Sequence, residues 1–214
     1  MNIYIEILKK YWHLFLLMVV LIATASFGIG LFQTPEYKSD VKLLVIQNQG
    51  QRLEAYTAAR SAQTVGEVIS KMIYTSSFFD KVLTSQFEIE DDFGTDPEDR
   101  KEKWEDRVKV RLSDETGSIQ LSVYHEDRKQ AEQIAFGIAH TMINYGEHYH
   151  GGGSQIEIKM VDSPITSEKV VRPNILLNTV AGFSLGILLS LVIIVLIGSK
   201  KIEKKESYKV ADKF

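Results

Sequence analysis

The sequence predicts an α+β membrane protein in which two transmembrane helices flank a βαββαβ domain. Three observations predict it. Residues 12–32 and 174–198 contain no Lys, Arg, Asp or Glu, and each run reaches the ~20 apolar residues that cross a bilayer as a helix. Residues 108–112, 119–123 and 156–160 alternate strictly between apolar and polar, as strands with one covered face do. Two intervening stretches carry apolar residues at helical spacing.

Taken in order, the first run follows a short tail with Lys9 and Lys10, and Tyr11 and Trp12 suit its interfacial end. Ala23-Thr24-Ala25 also resembles a signal-peptidase site. The apolar run nevertheless continues through Phe32, which favours a retained span. Residues 39–47 read as a strand rich in Val, Leu and Ile. Residues 52–74 read as a helix, with Val65, Val68, Ile69, Met72 and Ile73 on one face. Thr75-Ser76-Ser77 can cap a second short helix through Leu83. Residues 88–106 hold ten acids and three bases and read as a solvated loop; Asp91, Asp92 and Asp96 do not match a calcium loop. The strands at 108–112 and 119–123 flank a turn containing Gly117 and form a hairpin. Asp127 then caps a helix whose Ala131, Ile134, Ala135, Ile138 and Met142 share a face. That helix ends near Tyr145, before Gly151-Gly152-Gly153 and the last strand. The order strand, helix, strand, strand, helix, strand is the ferredoxin-like, split βαβ pattern.

Charge sets the expected topology. The segment before residue 12 has net charge +1, the segment after 198 has +3, and residues 33–173 have −7, which together give −3. Lys and Arg near the spans favour the cytoplasm. The expected division is a cytoplasmic tail 1–11, a span 12–32, an extracytoplasmic domain 33–173, a span 174–198 and a cytoplasmic tail 199–214. No segment long enough to fold is basic, which argues against nucleic acid as a partner. The chain has no cysteine, which excludes thiol chemistry and Cys-ligated metals.

Catalytic motifs are missing. The sequence has no GxxxxGK[ST] or HExxH, and its GxSxG match, Gly182 to Gly186, lies within the second apolar run rather than at a strand-to-helix turn. His140, His148 and His150 cluster; His148 and His150, two apart beside three glycines, could hold a metal but lack an obvious third ligand of standard spacing, and the cluster reads as a polar helix end. The expectation is a protein that is not an enzyme, with no cofactor and no metal. The clearest signal lies in the second span. Asn178, Gly182, Gly186 and Ser190 recur every four residues, a small-or-polar stripe for helix packing or oligomerisation. The first span has its own small cluster of Ala23, Ala25, Ser26, Gly28 and Gly30. Pro164 and Pro173 precede the second span and favour an extended, stiffened connector.

These features resemble the Wzz-type polysaccharide co-polymerases, the chain-length determinant proteins. The resemblance is carried by the basic N-terminal tail, the Pro35 and Tyr37 exit from the first span, and the strand and helix of 119–135. Its most specific part runs from Val161-Asp162-Ser163-Pro164 through Val171-Arg172-Pro173-Asn174 to Gly182 and Gly186. The family often has further prolines between the positions of Pro164 and Pro173, and here Ser, Glu, Lys and Val stand there. The short middle domain is similar to that of compact members that work beside a separate kinase. The resemblance implies a non-catalytic homo-oligomer in the bacterial plasma membrane. It would regulate the length or export of capsule, exopolysaccharide or O-antigen. Its partners would be membrane lipid, a polymerase with its lipid-linked glycan, and a cytosolic P-loop tyrosine kinase docking on Tyr208 and Phe214. A two-span sensor or a channel subunit would share the topology. A tail of 17 residues after Ile197 offers no output module, and the spans offer few pore-lining polar groups.

Overall fold

The computed structural model describes residues 3–47, 55–113, 118–150 and 156–211. In chain order the elements are α1 (Ile3–Lys10), α2 (Trp12–Phe32), β1 (Tyr37–Gln47), α3 (Ala55–Met72), α4 (Ser76–Leu83), α5 (Pro97–Arg107), β2 (Val108–Ser113), β3 (Ser118–His125), α6 (Arg128–Tyr145), α7 (Glu147–His150), β4 (Ile156–Thr166) and α8 (Ile175–Ala211). They divide into two units, Pro35–Val171 and the pair Met1–Thr34 with Arg172–Phe214.

In the Pro35–Val171 unit, alternation builds the sheet. Ser39, Val41, Leu43 and Val45 point to one face of β1, and Ile119, Leu121 and Val123 to the same face of β3. Val41 stands opposite Leu121 and Leu43 opposite Ile119, so both strands place their apolar residues against the helices. The strand order is β2-β3-β1-β4, and all neighbours are antiparallel. The core joins these residues to Ile69 and Ile73 of the α3 end, Phe78, Phe79 and Val82 of α4, and Ile134, Ile138 and Met142 of α6. The other sheet face carries Lys42, Lys109, Arg111, Gln120, Ser122 and Tyr124, all exposed or half-buried.

The strongest periodic signals match the structure closely. Asp127 stands at the N-cap of α6, and its Oδ1 accepts from the Lys129 and Gln130 backbone N–H groups at 2.6 and 2.9 Å. All five apolar residues expected on the inner face of α6 are buried. Asp127→Ala is expected to cost about 1 kcal/mol, the usual loss for an N-cap. A fall of a few degrees in the thermal midpoint of the full chain checks it, and an unchanged midpoint would contradict it.

Four expectations need correction. Residues 88–106 are not all loop, because α5 occupies 97–107. Asp96 caps it, accepting from Glu98 and Asp99 N–H, and Pro97 takes the first position, where its missing N–H costs nothing. Val68 is 44% exposed rather than on the core face, which keeps Val65, Ile69, Met72 and Ile73. Thr75 stands at the N-cap of α4 without capping it; its Oγ1 donates to the Met72 carbonyl at 2.7 Å. Finally, Pro164 lies inside β4, which runs on to Thr166. A proline lacks the N–H a central strand needs, but β4 is an edge strand, where that loss is tolerated. The β1–β4 register also shifts around Lys42.

In the other unit, α2 and residues 175–198 of α8 are long and apolar enough to cross a bilayer. The amino-terminal tail is helical as α1, and α8 continues through Ala211. The second tail is therefore a helix as far as it is described. Gly117, Gly151-Gly152-Gly153 and Phe214 lie outside the described residues.

Candidate functional site

Small residues let two helix backbones approach more closely than Leu or Ile would. The stripe on α8 meets α2 in this way. A Cβ on Gly182 would collide with Ser26 Cβ and stand 2.6 Å from its Oγ, with the Ile22 carbonyl oxygen at 3.5 Å. A Cβ on Gly186 would stand 3.2 Å from Val19 Cα and 3.3 Å from its carbonyl oxygen. Asn178 lies beside Gly30, whose added Cβ would be 3.7 Å from Asn178 Nδ2. The cross-helix hydrogen bond uses the Asn178 backbone rather than its amide: Ser26 Oγ donates to the Asn178 carbonyl at 2.7 Å. Ser190 is buried and donates within its own helix, to Ile187 O at 3.0 Å.

The four-residue repeat runs two steps further than the sequence reading took it. Ile194 is buried, and a Cβ on Gly198 would lie 2.5 Å from Ile7 Cγ2 of α1. The spacing 190, 194, 198 was a usable signal. Of the small residues in α2, Ser26 and Gly30 face α8, whereas Gly28 has nothing within 4 Å of an added Cβ.

The segment before α8 is tied down by local bonds. Ser167 N–H donates to Lys38 O at 2.8 Å, and Val171 N–H to Glu36 O at 2.8 Å. Pro173 follows a cis peptide bond, and its carbonyl accepts from Ile175 N–H at 3.1 Å. Asn174 then caps α8, its Oδ1 accepting from Leu177 N–H at 3.0 Å. Pro164 and Pro173 therefore have different settings, one in an edge strand and one just before a helix cap. Tyr208 belongs to the last turns of α8. His148 is in α7, its ring 6.5 Å from that of Tyr145, while His140 sits edge-on to Phe87 at 5.6 Å.

The acidic segment is organised by two arginines. Arg100 forks onto Asp91 at 2.8 and 3.0 Å and lies over the Phe79 ring at 5.0 Å. Arg107 forks onto Asp92 at 2.5 and 2.7 Å and lies over Phe93 at 4.7 Å. His125 Nε2 approaches the same Asp92 at 3.6 Å. The Arg107 hydrogen bonds hold the Asp92 carboxyl below the usual carboxylate range, against the opposing effect of partial burial. A depressed folded pKa stabilises above the unfolded value of ~3.9 and loses that contribution as the pH falls through the folded value. Wild type is therefore expected to melt above Asp92→Asn at neutral pH, with the gap closing in acid. Paired melting curves over that pH range test it, and a gap independent of pH would refute it.

Two closely packed helices, each long and apolar enough to cross a bilayer, bracket a four-stranded α/β domain in sequence, which makes this a mixed helix and sheet chain with two candidate membrane spans. Residues 3–90 match the Wzz family model, described as chain length determinant protein. The matched segment holds α1 to α4 and the start of the acidic stretch; β2 to β4 and α8 follow it. No curated protein matches the chain.

Proposed function

We propose that this chain is a non-catalytic regulator of polysaccharide chain length, acting as a homo-oligomer in the bacterial plasma membrane. The observation that carries this reading is the match of residues 3–90 to the chain length determinant family. Both termini are cytoplasmic in this reading, because lysines crowd the outer ends of both apolar helices. The middle domain is extracytoplasmic and ferredoxin-like. Its antiparallel order β2-β3-β1-β4, with helices on one face, supports that fold. Its partners are a membrane polymerase with a lipid-linked glycan and, on the cytoplasmic side, a tyrosine kinase that docks on Tyr208 and Phe214.

The test is the size distribution of surface polysaccharide in cells lacking the gene, with and without a wild-type copy. A distribution that broadens or shifts, and is restored by the copy, is the expected result. An unchanged distribution with polymer made in normal amounts would refute the reading. Kinase docking is tested separately by deleting 207–214, and unchanged kinase phosphorylation would refute that part.

A further inference from the structure

Two surfaces of the Pro35–Val171 unit have opposite charge, and among the ion pairs of the described residues they meet within one chain only at their edge, where Lys109 lies 3.4 Å from Asp106. The first is the sheet face away from the helices. Lys42 of β1 stands between Asp162 of β4 and Gln120 of β3, and Gln120 stands beside Arg111 of β2, so the two cations lie in one row that ends on a single acid. Neither has an ion-pair partner among the described residues. Lys38, Lys109 and Lys159 add positive charge around them, each held by one acid, Asp40 at 2.8 Å, Asp106 at 3.4 Å and Glu157 at 3.2 Å.

The second surface is the outer face of α5. Trp104, Arg100 and Arg107 share its inner face, where Trp104 is 1% exposed and the arginines bind Asp91 and Asp92. At 100° per residue, Glu98, Asp99, Glu102, Glu105 and Asp106 fall on the opposite side. All five are exposed, and no base lies among them; Lys101 and Lys103 flank the stripe. Trp104, packed with Phe79 and Phe93, holds α5 on the helix side of its own sheet, so apart from the Asp106–Lys109 pair at the edge this stripe is held away from the Lys42 and Arg111 row.

We propose that the uncovered sheet face is a docking surface for a second copy of this chain, which lays its α5 across the strands. The proposal rests on the oligomer reading above and names the surface that reading needs. The dimensions agree. An 11-residue helix is about 16 Å long at 1.5 Å per residue. Four strands about 4.8 Å apart span about 14 Å. Because the two surfaces differ, the contact is head to tail, and repeating it closes a ring or extends a filament. Confinement of both copies to one membrane raises their effective concentration, which favours a contact that is mainly polar.

The chain has no cysteine, so introduced thiols are the only ones present. Full-length protein carrying Arg111→Cys is mixed with full-length protein carrying Glu102→Cys in membranes, then oxidised. A disulfide-linked dimer in the mixture, absent from either variant alone, is the expected result. In parallel, Lys42→Glu with Arg111→Glu, or Glu102→Lys with Glu105→Lys, should each lose assembly on light scattering in detergent. Combining both pairs in one chain should restore it, with thermal midpoints showing that every variant folds. Oligomers that form without the crosslink and ignore the charge reversals would overturn the docking surface and leave the oligomer reading standing. A monomer throughout would overturn both. Reversals on the sheet face that release an anionic polysaccharide, with assembly intact, would give the face to that polymer and overturn the proposal.

Discussion

Gly182→Leu is expected to separate α2 from α8, while Gly28→Ala leaves the pair intact. Both positions are glycines in apolar helices, so composition does not distinguish them. Their surroundings do. An added Cβ at Gly182 collides with Ser26, and one at Gly28 meets nothing within 4 Å. Ser26 has little room to yield, because its Oγ is bonded to the Asn178 carbonyl at 2.7 Å and Ile22 follows one turn away. Forcing bulk into a packed contact costs about 1–3 kcal/mol. Here the backbones themselves must part, and the Ser26–Asn178 bond and the Gly186–Val19 contact go with them. The measurement is the thermal midpoint of the full chain in detergent, together with the polysaccharide size distribution. A second-site test adds specificity. Gly182→Ala with Ser26→Gly should recover most of the stability lost by Gly182→Ala alone, because the colliding atoms are gone. Equal midpoints for Gly182→Leu and Gly28→Ala would show that this contact does not hold the helices together.

Trp104→Ala should be the most damaging single change in the α/β domain. The indole is buried, packs on Phe79 and Phe93 with centroids at 4.9 and 5.8 Å, and donates from Nε1 to the Ile73 carbonyl at 2.9 Å. Removing a buried Trp costs about 3–5 kcal/mol, a large share of the 5–15 kcal/mol that holds a typical domain. Trp104→Phe keeps most of the packing and loses the hydrogen bond, so it should cost roughly 1 kcal/mol from that bond. Denaturant unfolding of the full chain, followed by circular dichroism, ranks wild type, Phe and Ala in that order. An Ala variant as stable as the Phe variant would mean that α5 is not anchored through this side chain.

The fold was legible where periodicity was strong. In α6 a capping Asp and five apolar residues at helical spacing leave one solution, and the alternating strands left little choice of inner face. α5 was hidden because it has no apolar period: one Trp in eleven residues anchors it, and its acids mimic a solvated loop. Its start was nonetheless written as Asp96-Pro97, a cap followed by a residue suited to the first turn. β4 is legible only to Met160, short of Pro164, since sequence alone does not show which strand is at the edge. In α2 the small residues were visible, but the side they occupy was not. A helix that is apolar all round has no polar face to fix its rotation, so Ser26 and Gly30 looked no different from Gly28. Asn178 was legible as a polar group in an apolar run, but its carbonyl, which every residue has, makes the cross-helix bond.

The seating of Ile7 against Gly198 has a consequence for parity. α1 precedes the first apolar helix, and Gly198 ends the apolar part of the second. Their contact puts the entry and exit of the helix pair at the same end. In a bilayer the number of crossings between those two points is therefore even, whichever leaflet they face. A membrane-impermeant reagent that labels the segment before Trp12 is expected to label the segment after Gly198 as well, and labelling of one without the other would contradict this parity.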